Sequence, residues 1–254
     1  MTLAEKRRAI RPLLDERKPA DASAVYYALY HPDDKTQIIT KPENAQRAQG
    51  YLCMARTGID LFRPLLTLRL PYAKNGGEVD PAFGASLITK AIPEGMSVII
   101  NAPEIYRPLL SALFDIQQEQ ILRLFVLDRG RFEPIINVLV ARSESYDGSP
   151  KFVIRQSRSN KGAAQGEIVA SAGLNWQSTY FAEIYVHTKS SFRRLGYGRS
   201  VVASLIQHVL ESGRTPLYVA NSENDPSIQL AESVGFIDSG VREILIESTR
   251  KYHL

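Results

Sequence analysis

A single cysteine, Cys53, in 254 residues excludes an intrachain disulfide and leaves no thiol pair to hold a metal. A lone cysteine in an ordinary soluble composition is expected to be a buried thiol. The four histidines, His31, His187, His208 and His253, are scattered without zinc-site spacing, so no metal is expected. No apolar run approaches membrane-spanning length. The N-terminal "EKRRAIRPLLDERK" lacks the apolar stretch of a signal peptide and carries acids that transit peptides avoid. These absences lead to the expectation of a cytoplasmic protein without a membrane partner. Charge of one sign is also scarce. The excess is only +4, which suits an anionic ligand but is too small and too dispersed for a nucleic-acid footprint, so no nucleic-acid partner is expected.

What is present is a chain that is 44% hydrophobic and 23% charged, long enough for one large domain or two small ones. Residues 3–16 read as an amphipathic helix. A second helix over 21–32 has Asp21 or Ser23 as its cap and stops at His31–Pro32. Residues 45–58 suit strand or helix equally, and 61–71 alternate in part. Residues 74–81 read as a loop. A buried strand at 97–100 leads into a helix with Ile105, Leu109, Leu110 and Leu113 on its apolar face, and 121–127 is again a strand. Strand–helix–strand order implies α/β architecture here. "DRGRFEP" (128–134) is a plausible seam. The expected division is an accessory α/β domain over 1–131 and a second domain over 132–254.

The second half is more regular. Strands are expected at 135–141 and 151–156, a polar loop at 157–166, and an antiparallel hairpin from 167–176 and 179–188. A helix over 197–212 carries Val201, Val202, Leu205, Ile206, Val209 and Leu210 as one stripe. A short buried strand at 216–220 and a helix at 225–234 follow, the helix with Pro226 in its first turn and Gly235 past its end. "FIDSG" and "VREILIEST" close the chain as strands. No internal repeat is evident.

The chemistry lies at the start of the long helix, in "SSFRRLGYGRSVV". A helix start presents unpaired N–H groups and a positive dipole end, and so attracts an anion. Gly196 and Gly198 keep Cβ atoms out of a ligand's approach. Arg193, Arg194 and Arg199 add charge that does not titrate. Neither a Walker A loop nor a three-glycine dinucleotide fingerprint is present.

Arg193-x-x-Gly196-x-Gly198 resembles motif A of the GNAT superfamily of acyl-CoA-dependent N-acyltransferases. Downstream, "NDPSIQLAESVGF" resembles motif B through Asn224, Ser227, Leu230, Gly235 and Phe236. The resemblance covers roughly residues 150–250. It implies a mixed, mostly antiparallel α/β sheet flanked by helices in the C-terminal half. It also implies transfer of an acetyl or acyl group from acetyl-CoA to a primary amine by direct attack in a ternary complex. The amine acceptor is a small molecule, peptide or protein, and a homodimer is allowed. The implied cofactor-binding residues are Val186, Thr188, Arg193, Arg194, Leu195, Gly196, Tyr197, Gly198, Arg199, Asn224 and Ser227.

Alternation along the strand before the loop puts Glu183, Tyr185 and His187 on one face and Ile184, Val186 and Thr188 on the other. Glu183 is the first choice of catalytic base and His187 the second. One position departs from the family pattern. Many members have tyrosine after the motif B leucine, where it protonates the departing thiolate, and this chain has Ala231. Tyr180, Tyr185, Tyr197 or water then takes that role, or the protein is a non-catalytic acyl-CoA binder or sensor. Trp176 and Tyr180 are expected to pack against the sheet rather than wall an acceptor pocket.

Overall fold

A computed structural model describes residues 1–58, 60–71, 79–156 and 166–252. Most of the expected loops at 74–81 and 157–166, and His253, lie outside the described residues. The chain forms two compact units, Met1–Leu122 with Val241–Leu254, and Arg123–Gly240. The expected seam at 128–134 falls just inside the second.

The first unit begins with α1 (Leu3–Ile10), where Thr2 and Glu5 form a reciprocal capping box. The helix is shorter than expected: Pro12 follows within a 3-10 turn over Arg11–Leu13. Next come α2 (Ala22–Val25), continued by a wider turn over Tyr26–Tyr30, and three antiparallel strands, β1 (Thr36–Lys41), β2 (Gly50–Ala55) and β3 (Leu65–Arg69). The ambiguous stretch at 45–58 is therefore strand. Helix α3 (Pro81–Ala91) leads to β4 (Ser97–Pro103), which runs parallel to β3. Helix α4 (Arg107–Leu113) then leads to β5 (Phe114–Leu127). Ile105 is half exposed, so the apolar face of this segment is carried by Leu110 with Leu109 and Leu113.

Alternation divides the first unit into two cores. Leu52, Leu66, Leu68, Val98 and Ile100 pack with Leu87 and Ile88 of α3, while Tyr51 and Cys53 pack with Ala9, Ile10, Ala24 and Val25. Cys53 is fully buried and its Sγ donates to the Tyr27 carbonyl at 3.4 Å. Burial pushes its thiol up to about 12, which leaves it inert.

The second unit contains β6 (Val140–Glu144), β7 (Pro150–Arg155), β8 (Ile168–Gln177) and β9 (Phe181–Thr188), paired antiparallel in that order. The strand expected at 135–141 begins only at Val140. Helix α5 (Tyr197–Glu211) leads to β10 (Thr215–Asn221), which is parallel to β9. Helix α6 (Asp225–Ser233) and β11 (Phe236–Arg250) complete the chain. The stripe of α5 is buried as expected. Val201, Val202, Leu205, Ile206 and Val209 pack on Ala170, Ala172, Ala182 and Ile184. Three alanines on the sheet side let the helix approach closely.

Apart from β6, which the second unit adds in front, the two units share one order of elements: three antiparallel strands (β1–β3, β7–β9), a helix, a strand parallel to the third, a helix and a long strand. This is an internal repeat that the sequence hid. Its long strands each pass from one unit into the other. β5 begins in the first unit and delivers Phe125 and Leu127 to the core of the second. β11 makes the reverse passage, pairing with β4 from Glu243 to Thr249 and burying Ile244 and Ile246 completely in the first unit. The two closing strands expected at 236–250 are thus one. Among the described residues, no helix is long and apolar enough to cross a membrane.

The first unit depends on a strand that arrives last in the chain. Expressed alone, residues 1–122 should give no cooperative urea transition, whereas the full chain should. A cooperative transition for the fragment would contradict this topology.

Candidate functional site

Strands β9 and β10 pair only through Ile184 and Tyr218. Yet β9 continues to Thr188 and β10 to Asn221. The two parallel strands therefore part, and the cleft between their free ends leads toward the start of α5.

Local sequence chemistry shapes the loop at that start. Gly196 is the N-cap of α5 with φ +78°, and Arg194 has φ +62°. Glycine adopts this left-handed conformation without strain, whereas an arginine there costs about 1–2 kcal/mol. Strain of this kind concentrates at functional loops. No side chain among the described residues caps α5, so the N–H groups of its first turn face outward uncapped. Arg193, Arg194, Leu195, Gly196 and Arg199 are exposed, and Tyr197 and Gly198 are half-buried. None of the three arginines makes an ion pair among the described residues. Arg193 instead donates to the Thr188 carbonyl at 3.3 Å.

The two glycines serve different ends. A Cβ at 196 would meet nothing within 4 Å, so that position is glycine for its backbone angle. A Cβ at 198 would lie 3.0 Å from Thr188 Oγ1, 3.5 Å from Leu230 Cδ2 and 3.9 Å from Val186 Cγ2. Gly198 thus lets the first turn of α5 sit against β9 and α6. A residue missed by sequence reasoning supports the same turn: Asn137, from the segment before β6, donates to Ser200 Oγ at 3.0 Å.

The first unit offers a control within the same chain. Its corresponding helix, α3, has Asp80 as N-cap, with the carboxylate accepting from Phe83 N at 3.0 Å, and Pro81 supplies no N–H. That helix start already holds an anion; the start of α5 does not. Two open cavities of about 350 and 300 Å³ lie in the first unit, one beside Lys6, Glu43 and Lys90, the other beside Lys35, Met54 and Arg56. Neither brings nucleophile, base and anion donors together.

Glu183, Tyr185 and His187 lie on the face of β9 opposite α5, as alternation predicts, since Ala182 and Ile184 are in the core. A bulge at Asn175 interrupts the β8–β9 register between Leu174 and Trp176. It brings two donors onto Glu183: Asn175 Nδ2 at 2.6 Å and Trp176 Nε1 at 3.0 Å. The buried Trp176 thus orients a carboxylate and does not wall a pocket. Tyr185 is paired with Gly173, where a Cβ would fall 2.7 Å from its hydroxyl; the ring lies across the glycine. His187 is exposed, two residues further along the same face.

Motif B residues adopt supporting positions. Asn224 caps α6 by accepting from Ser227 N at 3.2 Å. Ser227 Oγ is 2.8 Å from the Tyr218 hydroxyl, a pairing with no signal in the sequence. Ala231 is completely buried. Among the described residues, no group of three His, Cys, Asp or Glu side chains is placed to hold a metal ion.

Comparison with known proteins agrees with this geometry. The profile of the FR47-like protein family matches residues 160–244. A search of curated proteins by sequence found no match. Among solved structures, a Drosophila protein of 12% identity superimposes with a TM-score of 0.68 over 97% of this chain and 95% of its own. A GCN5-related N-acetyltransferase from Kribbella flavida, 17% identical, gives 0.59 over 92% and 96%. A tandem GNAT protein from the clavulanic acid biosynthesis pathway, 12% identical, gives 0.58 over 100% and 96%. The C-terminal half resembles the GNAT superfamily, and the fold is the GNAT acetyltransferase type along the whole chain.

Gly196→Ala should fold normally but lose about 1 kcal/mol in urea denaturation, the cost of a left-handed alanine. Gly198→Val should lose more, because its side chain meets Thr188 and Leu230 at the base of the helix. Equal stability of all three proteins would contradict the separate roles given to the glycines.

Proposed function

We propose that this protein is an acyl-CoA-dependent N-acyltransferase whose second unit binds the carrier and transfers its acetyl or acyl group to a primary amine. The observation that carries this reading is the uncapped start of α5 at the mouth of the β9–β10 cleft. Successive N–H groups and three guanidinium groups that make no ion pair among the described residues match a pyrophosphate in charge and donor type. The cleft lies between strand edges that no longer pair with each other beyond Ile184 and Tyr218, which suits the amide-bearing arm of coenzyme A. Val186, Thr188, Leu195, Tyr197, Gly198, Asn224 and Ser227 border that path, and acetyl-CoA is the proposed co-substrate.

Direct attack by the amine needs no enzyme nucleophile, consistent with the inert Cys53. The amine must lose a proton and the thioester oxygen must be polarised. Glu183, fixed by Asn175 and Trp176, is the proposed base, acting directly or through one water. His187 is the alternative on the same face. The acceptor is a small-molecule, peptide or protein amine.

A second reading, a non-catalytic acyl-CoA binder, draws on two observations. Both Glu183 oxygens already accept hydrogen bonds, and Ala231 supplies no proton donor. Turnover separates the two. Calorimetry with CoA should give one site per chain, because Asp80 and Pro81 close the corresponding helix start of the first unit. Gly198→Val should weaken that site at least tenfold. Thiol release from acetyl-CoA with a panel of amines should then exceed the amine-free rate. Absence of CoA binding would contradict the proposal, and binding without release across the panel would favour the binder.

A further inference from the structure

The chain lacks a donor at position 231, but the structure supplies one nearby. Tyr218 is the last β10 residue paired with β9, and so marks the point where the strands part. Its side chain is 3% exposed, its ring packs on Phe236 at 5.6 Å, and its hydroxyl is 2.8 Å from Ser227 Oγ. Ser227 is half-buried in the first turn of α6. Leu230, three residues on and therefore on the same helix face, lies against Gly198 at the start of α5. The face bearing Ser227 is thus turned to the cleft.

We propose that Ser227 and Tyr218 form a donor pair that stabilises the thiolate of coenzyme A as it leaves. The inference rests on the acyl-CoA reading above. A carrier held by its pyrophosphate at the start of α5 extends its arm down the cleft, and the cleft ends at Ile184 and Tyr218. The reactive sulfur therefore comes to rest beside the pair. Hydrogen positions follow from burial. If Ser227 donated to Tyr218, the tyrosine proton would be buried without an acceptor. In the better arrangement Tyr218 donates to Ser227 Oγ, and the serine proton points into the cleft. Burial raises the Tyr218 pKa, and the Ser227 bond offsets this only in part, so the phenol stays protonated as a donor.

The step balances without proton transfer from the pair. The amine nitrogen forms a bond to the carbonyl carbon, and the carbon–sulfur bond breaks with its electrons on sulfur. The proton of the amine leaves through Glu183 or solvent. Sulfur accepts a hydrogen bond from Ser227 and later takes its proton from water. Ser227 is the group that touches the leaving atom, and Tyr218 is a positioning residue.

The test titrates the thiol of bound CoA by its thiolate ultraviolet absorbance, with desulfo-CoA as the blank. In the wild type the midpoint should lie about one pH unit below that in Ser227→Ala, the value of a hydrogen bond to an anion. Tyr218→Phe, which keeps the ring packing, should fall between them, and Ser227→Thr should restore the wild-type midpoint. Equal midpoints in wild type, Ser227→Ala and Tyr218→Phe, all with CoA bound, would overturn the donor pair and leave the acyl-CoA reading intact. A wild type that binds no CoA has no bound thiol to titrate and overturns both.

Discussion

Two parallel strands that stop hydrogen-bonding before either one ends create the condition on which the site depends. A sheet normally satisfies its backbone groups internally. Beyond Ile184 and Tyr218 the facing edges of β9 and β10 are released from that duty, and an extended ligand with amide groups can take the vacant rungs. The helix that follows β9 starts at the open end, with its dipole and N–H groups uncovered. The parted strand edges and the uncapped helix start thus follow one another along the chain. The core beneath holds them in place: α5 is clamped to the sheet through alanines, and Gly198 lets its first turn reach β9.

The same scaffold appears twice, and the copies have diverged where charge matters most. In the second unit the helix start is glycine-capped and ringed by arginines. In the first, Asp80 satisfies the helix start and Pro81 removes a donor. The first unit instead devotes the corresponding sheet face to an internal network. Arg69 grips Asp21 through Nε at 3.0 Å and Nη2 at 2.9 Å, and Asn101 donates to Ser23 at 3.0 Å. One copy leaves its helix start without a side-chain cap, and the other fills it with its own carboxylate. The passage of β5 and β11 from unit to unit makes each core depend on a strand that begins in the other.

Much of the second unit was legible in the sequence because its signals are local. The α5 stripe repeats with helical period, and the β8–β9 hairpin alternates on both sides of a short turn. The continuity of β11 was not legible. "FIDSG" reads as a strand of its own that ends in the turn formers Asp-Ser-Gly, and Asp238 does accept from Gly240 N at 2.9 Å, with Gly240 at φ +78°. The strand absorbs this kink, and only its pairing with β4 reveals that. The bulge at Asn175 is equally silent, since nothing in its residue type says that it re-aims two donors onto Glu183. Tyr218 and Ser227 meet across the parting of strand and helix, a contact between elements that no sequence spacing encodes. The repeat is silent in the sequence because a shared topology needs only a shared order of apolar periods, not shared residues.

The most direct test follows individual backbone amides while CoA is added to the intact protein, by heteronuclear magnetic resonance. If an uncapped helix start grips the pyrophosphate, the amides of residues 196–200 shift strongly and saturably, and those of 82–84 at the capped start of α3 do not. Unmoved amides at 196–200, or a larger response at 82–84, would contradict the account.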